Sequence, residues 1–203
     1  MSHKFHAARL LAVVPALMML AVACGSSGTE LRDPPAGYAA PPIAPEATNE
    51  SAPAVGFSLS SSAFAPGAQL PERFTCSGEG VSPPLAWAAV PAGTAEFAVV
   101  ATDPAADFFV HWIVAAIPPD RTTLDEGSIP LDAIEGPNSE GGFGWVPPCP
   151  RDGVTHTYNF TVYALTQEVE LDPSLTALEV VALLDAAPSQ RTVLTATAEP
   201  TDG

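Results

Sequence analysis

One carboxylate and two imidazoles, Asp103, His111 and His156, are the residues of this chain best suited to chemistry. The first two lie in Asp103-Pro104-Ala105-Ala106-Asp107-Phe108-Phe109-Val110-His111-Trp112, and the third follows in Thr155-His156-Thr157-Tyr158. Protonated imidazoles donate hydrogen bonds to a phosphate or carboxylate while an aspartate orients one ring, so the set suits a small anion site. One Asp and two His also suit a metal, as in non-haem iron or zinc sites. Against that, the spacing lacks the helical or hairpin pairing of ligands. The third chemistry is hydrolysis with His156 as general base near Asp103. No Gly-x-Ser-x-Gly elbow accompanies it, and the Ser-rich run Ser58 to Ser62 reads as a strand edge. A purely structural buried His–Asp contact competes with all three.

Strands must position these residues. The run Glu96 to Thr102 is apolar and β-prone and breaks at Asp103-Pro104, while Phe109 to Ile117 alternates before stopping at Pro118-Pro119. Asp103 therefore closes one strand and His111 opens the next. Period-two geometry predicts Phe109, His111, Ile113 and Ala115 on one face and Val110, Trp112 and Val114 on the other. On that largely apolar face His111 needs a partner, and Asp103 is the expected acceptor of its proton. Short strands near Phe57 to Ser60, Thr157 to Leu165 and Thr192 to Ala198 support an antiparallel sandwich. Within the second of these Tyr158, Phe160 and Val162 share a face, so Tyr158 is either a core aromatic or a pocket wall. One helix is predicted, opened by the capping box Thr176-Ala177-Leu178-Glu179, with Leu175, Leu178 and Val181, beside Leu183 and Leu184, as its core stripe.

Three blocks follow one another in order. They are Phe74-Thr75-Cys76-Ser77-Gly78-Glu79-Gly80-Val81-Ser82-Pro83-Pro84-Leu85-Ala86-Trp87, then Thr102-Asp103-Pro104 with Val110-His111-Trp112-Ile113-Val114, then His156-Thr157-Tyr158-Asn159-Phe160-Thr161-Val162-Tyr163-Ala164-Leu165. Through them the stretch from Phe57 to about Ala198 resembles the phosphatidylethanolamine-binding protein family, in its bacterial branch similar to Raf kinase inhibitor protein. The resemblance implies an all-β fold with a minor helix: an antiparallel Greek-key β-sandwich with a peripheral C-terminal helix. It also implies a binding module without cofactor or metal, not an enzyme, in which Asp103, His111 and His156 line a small anion pocket. Tyr158 and the Pro147-Pro148-Cys149-Pro150 loop, with Pro148 and Pro150 as contacts, stand beside them. The family's ligands are phosphate-bearing head groups.

This chain departs from the family pattern at the pocket. Ala105 replaces the second Asp of Asp-Pro-Asp-x-Pro, and Asp107 stands where Pro is expected. The loop Gly-Pro-x-Pro-Pro reads Pro147-Pro148-Cys149-Pro150-Arg151, and the Arg of His-Arg-Tyr is Thr157. Prolines offer no N–H, so backbone donors in this loop are scarce. The lost Gly and the gained Arg151 leave the ligand open.

Lys4 and Arg9 precede the apolar run Leu10 to Ala23, which reads as a signal peptide over residues 1–23. The run is too short for a bilayer core of about 30 Å, so no permanent transmembrane helix is expected. Ala21-Val22-Ala23 is an A-x-A cleavage site, while the same residues followed by Cys24-Gly25-Ser26-Ser27 resemble a bacterial lipobox. Of three cysteines, Cys76 and Cys149 sit in the family blocks, which leaves Cys24 over. Acylation of Cys24 removes the odd thiol and anchors the chain to the membrane of a bacterial cell envelope; free secretion is the alternative. Cys76 and Cys149 are then expected to form a disulfide in the oxidising compartment, or else to remain two buried thiols.

Residues 24–55 are Gly, Ser, Pro, Ala and Glu with few aliphatics and read as an extended, disordered tether, followed by one domain over 56–203. Removing Lys4 and Arg9 with the signal leaves five basic residues against 23 acidic ones, a net charge of −18 without a lysine. Nucleic acid is excluded, because phosphate backbones need a basic face. The same acidity opposes long-range steering of an anion, although screening over about 8 Å leaves a local pocket in control. A third function, inhibition of a protease or other protein partner through the surface, has no loop signature here.

Overall fold

The structure, a computed structural model, describes residues 56–151 and 153–200, so the predicted signal peptide, Cys24 and the tether lie outside the described residues. Three long runs of β-branched and aromatic residues make the central strands β3 (Glu96–Asp103), β4 (Phe109–Ile117) and β7 (His156–Leu165). With β6 (Ile134–Glu135) and β8 (Ser189–Ala198) they form a five-stranded antiparallel sheet in the order β6-β4-β3-β7-β8. A second antiparallel sheet has the order β1-β2-β5, from Ser58–Ser60, Leu85–Ala88 and Thr123–Leu124. The fold is thus mostly β, with one helix, α1 (Ala177–Ala186), near the C-terminus.

β3 is buried on both sides, and its alternation separates two cores. Phe97, Val99 and Ala101 pack with Leu59, Leu85, Trp87 and Leu124 of the small sheet. Ala98 and Val100 pack with Ala177, Val180 and Leu184 of α1. The free edge of β8 is covered by residues 67–70, where Gly67 and Leu70 donate N–H bonds to Thr195 and Thr197 and Ala68 accepts one from Thr197.

Two sequence expectations fail here. The β3–β4 register pairs Ala101 with Trp112 and Thr102 with Val110, so His111 is an extra residue opposite no partner: a β-bulge. Alternation flips across it. Val110 joins Ile113 and Ala115 on the helix side, while Trp112 and Val114 enter the other core. His111 turns the same way as Trp112, towards Tyr158 and Trp145, and does not share a face with Ile113. The capping box at Thr176 and Glu179 is present, and it sets the phase of α1. The stripe that meets the sheet is Ala177, Val180 and Leu184, at i, i+3 and i+7. Leu178 is therefore 53% exposed and Leu183 37% exposed, while Leu175 and Val181 are partly buried at the margin.

One tight turn carries Cys76. A 3-10 turn over Glu72–Phe74 leads into it, the Arg73 carbonyl accepts from Gly80 N–H at 2.9 Å, and Gly78 N–H donates to Thr75 O at 3.2 Å. A Cβ on Gly78 would stand 2.3 Å from Glu72 O and 2.6 Å from Arg73 Cα. These are backbone atoms that no rotamer change can move, so Gly78→Ala is expected to destabilise the domain by about 1–3 kcal/mol, as overpacking does. A urea midpoint unchanged by the substitution would contradict this.

Candidate functional site

The three central strands bring one end of the large sheet together, and the chemistry-bearing residues stand there. Asp103 is the last residue of β3, His156 the first of β7, and His111 sits at the bulge near the start of β4. All three are buried, at 2%, 6% and 6% exposure. His156 Nδ1 lies 2.5 Å from Asp103 Oδ2, where a carboxylate oxygen can only accept, so the ring N–H donates. The other oxygen, Oδ1, accepts the N–H of Ala105 at 2.9 Å and starts the turn into β4.

Asp103 is thus the partner of His156 and not, as the sequence predicted, of His111. The bulge turns the His111 ring instead to the backbone of residue 146. His111 Nδ1 is 2.7 Å from Val146 O, and Val146 N–H donates to His111 O at 2.8 Å, a reciprocal pair. A carbonyl accepts only, so Nδ1 carries the ring hydrogen and Nε2 is left to face the cavity. Burial pushes the His111 imidazole below its ordinary value near 6.5, and His156 adds to the shift. The Val146 carbonyl and the charges of Asp103 and Glu140 oppose it only in part. At neutral pH His111 is therefore neutral, with Nε2 an acceptor.

Beside this group opens a cavity of about 480 Å³, lined by Asp103, His111, His156, Tyr158, Pro150 and Arg151 among others. Tyr158, 2% exposed, sets its ring edge-on to His111 at 5.2 Å, so it is at once core aromatic and pocket wall. Pro148 does not line this cavity. It faces a neighbouring one with Thr75 and Ser77, and its carbonyl accepts the Cys76 N–H at 3.0 Å. Cys76 and Cys149 are joined in a disulfide with Cα atoms 5.3 Å apart, and Cys149 contributes to the cavity wall.

Other wall residues escaped the sequence reading. Phe109 packs against His111 at 4.7 Å between ring centres, and Glu140 stands on the rim. Buried Asn138 organises that rim: its side chain donates to Gly144 O and accepts from the N–H groups of Glu140 and Gly142. Ser139 ties the loop to β4, its Oγ accepting from Val110 N–H at 2.8 Å. The only sequence signal was a buried-type polar residue in a Gly-rich loop, Gly136-Pro137-Asn138, which marks a turn without saying what it supports.

The sequence pattern of the phosphatidylethanolamine-binding protein family matches residues 60–199, a range that includes Asp103, His111 and His156. The chain belongs to this family. It is 35% identical over 202 residues to the Mycobacterium tuberculosis protein named "Putative lipoprotein LppC", covering 98% of this chain and 100% of that one. A UPF0098 protein of Methanothermobacter thermautotrophicus is 37% identical over 134 residues, 63% of this chain and 88% of its own. The crystal structure of CT736, a phosphatidylethanolamine-binding protein homolog from Chlamydia trachomatis, superposes with a TM-score of 0.66 at 30% identity, covering 72% of this chain and 99% of that chain. That of E. coli YbcL, described as a new member of the mammalian family, gives 0.65 at 31% identity over 71% of this chain and 99% of its own.

Departures from the family pattern now have places. Thr157 is exposed between buried His156 and Tyr158, so strand alternation turns it away from the cavity. Ala105 does line the cavity, and Arg151 stands on its wall. Among the described residues no cluster of His, Cys, Asp and Glu could hold a metal ion. No helix among them is long and apolar enough to cross a membrane.

Proposed function

We propose that this chain is an exported, lipid-anchored binding protein whose Asp103, His111 and His156 pocket accepts a small anionic group. The observation that supports it most is the convergence of three buried polar side chains on one open cavity, two of them ring nitrogens held by a carboxylate and a carbonyl. Such fixed partners orient a ring for a ligand, as outer-shell partners do elsewhere. Hydrolysis fits less well: the described cavity wall carries no Ser or Thr hydroxyl, and its one sulfur is tied into the disulfide. Export and anchoring rest on the signal-like segment and Cys24, and on the name of the full-length mycobacterial relative.

Sulfate tests the pocket cleanly because it does not titrate near neutrality. Neutral His111 meets it with a lone pair, so binding must bring a proton to Nε2. With the free-state value held below 6.5, affinity should rise as pH falls from 7.5, by up to about tenfold per unit until the free ring itself titrates. Asp103, Glu140, His156 and Arg151 share the cavity with His111, and His111→Ala should remove the slope while leaving the circular dichroism spectrum intact. Calorimetry that finds a flat profile in the parent chain, or an unfolded His111→Ala chain, would assign His111 to structure. The unliganded domain responds oppositely. A depressed imidazole binds fewer protons folded than unfolded, so its stability is present above 6.5 and is lost as pH falls below it.

A further inference from the structure

We propose that Arg151 and His111 together make the cavity selective for a terminal phosphomonoester over a phosphodiester, an inference that rests on the anion-pocket reading above. Among the described residues the arginines divide into two kinds. Arg73 pairs with Glu79 and Glu126, and Arg191 with Asp185. Arg121 and Arg151 pair with no carboxylate of the described residues, and of these two only Arg151 lines this cavity. In a chain with 23 acidic residues and seven basic ones, a guanidinium at a cavity wall that pairs with no described carboxylate is offered to a ligand. It stands where the family loop pattern has a second Pro, so a residue without an N–H is replaced by one with five side-chain donors in a planar fork.

The oxygen inventory of the ligand then decides. A guanidinium fork engages two terminal oxygens side by side. A phosphodiester has only two, and a carboxylate only two, so neither has one left for His111. A phosphomonoester has three. The third, as P–OH in the monoanion, is matched to His111 Nε2, which accepts because Nδ1–H is committed to Val146 O. Asp103 already accepts at both oxygens, from His156 and from Ala105 N–H. Fork and acceptor therefore read complementary parts of one group, and Glu140 at the rim adds a cost to any anion that lacks this fit.

The test is calorimetric titration of the full chain in detergent at pH 6, where about half of a phosphomonoester is the monoanion, with methyl phosphate and with dimethyl phosphate, repeated for Arg151→Ala, Arg151→Lys, His111→Ala and, as a control, Arg121→Ala. Methyl phosphate is expected to bind about tenfold tighter than the diester, the worth of the one added hydrogen bond to His111 Nε2. Arg151→Ala should lose about tenfold for both esters, because the fork engages two oxygens of either, while His111→Ala should remove the preference between them. Arg151→Lys, a point charge without the fork, should fall between, and Arg121→Ala should match the parent. A parent chain that binds both esters alike, a His111→Ala chain that keeps the preference, or an Arg151→Ala chain that weakens neither ester, overturns this joint reading alone. A parent chain that binds neither ester contradicts the anion pocket itself, and this inference falls with it.

Discussion

Asp103→Ala is expected to cost the folded domain about 3–5 kcal/mol, the range for removing one partner of a buried hydrogen-bonded pair. The carboxylate is 2% exposed and neither oxygen is spare. Oδ2 receives the His156 ring at 2.5 Å, and Oδ1 receives the Ala105 N–H that begins the turn between β3 and β4. Alanine removes both acceptors at once and leaves the buried His156 ring N–H and the part-buried Ala105 N–H without the partner they have in the native fold, which is the costly half of hydrogen-bond energetics. Asp103→Asn separates the two roles. It retains a carbonyl oxygen for Ala105 and loses the charge that orients His156, so it should be less destabilised than alanine yet as poor in anion binding. Urea denaturation of both variants checks the order, and an alanine variant with the parent midpoint would show that Asp103 does not hold this end of the sheet.

Opening the Cys76–Cys149 bridge is the second large effect. Its cysteines are 73 residues apart, and in the chain-entropy model a closed loop of that length stabilises by about 4 kcal/mol. The bridge also joins the turn built on Gly78 to the loop that carries Val146 and Arg151, with the Cys76 N–H to Pro148 O bond beside it. Reduction should therefore act twice: the midpoint of unfolding falls, and under conditions where the domain remains folded the anion affinity falls too, because the wall that holds His111 is released. Cys76→Ser with Cys149→Ser should reproduce both effects without reductant. Equal affinity in the oxidised and reduced folded chain would confine the disulfide to a stabilising role.

Much of this site was legible in sequence because it depends on strand ends. The Pro104 and Pro118-Pro119 breaks placed Asp103 and His111 at strand boundaries, and the Thr157 to Leu165 alternation put Tyr158 on one face with Phe160 and Val162, which the structure shows in one core cluster. The architecture of two antiparallel sheets and one C-terminal helix followed from the same patterns and from the family blocks. What alternation could not convey was the bulge. A single extra residue reverses the face of everything beyond it and leaves no mark in the pattern of apolar side chains, so the partner of His111 was misassigned. The stripe of α1 failed for a related reason. Leu178 is the stronger apolar residue, but the cap at Thr176 fixes the phase, and small Ala177 fits against the sheet. The Asn138 loop was invisible for want of period, since its contacts with β4 are polar and reach 29 residues along the chain.

The most direct test of an anion pocket here is nitrogen-15 NMR of the histidine side chains, titrated with methyl phosphate at pH 7.5. Before ligand, His111 should be the neutral Nδ1–H tautomer with a bare Nε2, as its contact with Val146 O requires. With ligand, its Nε2 should become hydrogen-bonded to the phosphate and the ring signals of His111 and His156 should move together, saturating with one ligand per chain. Ring spectra that stay unchanged at saturating ligand, or that report His111 as Nε2–H in the free chain, would contradict the account.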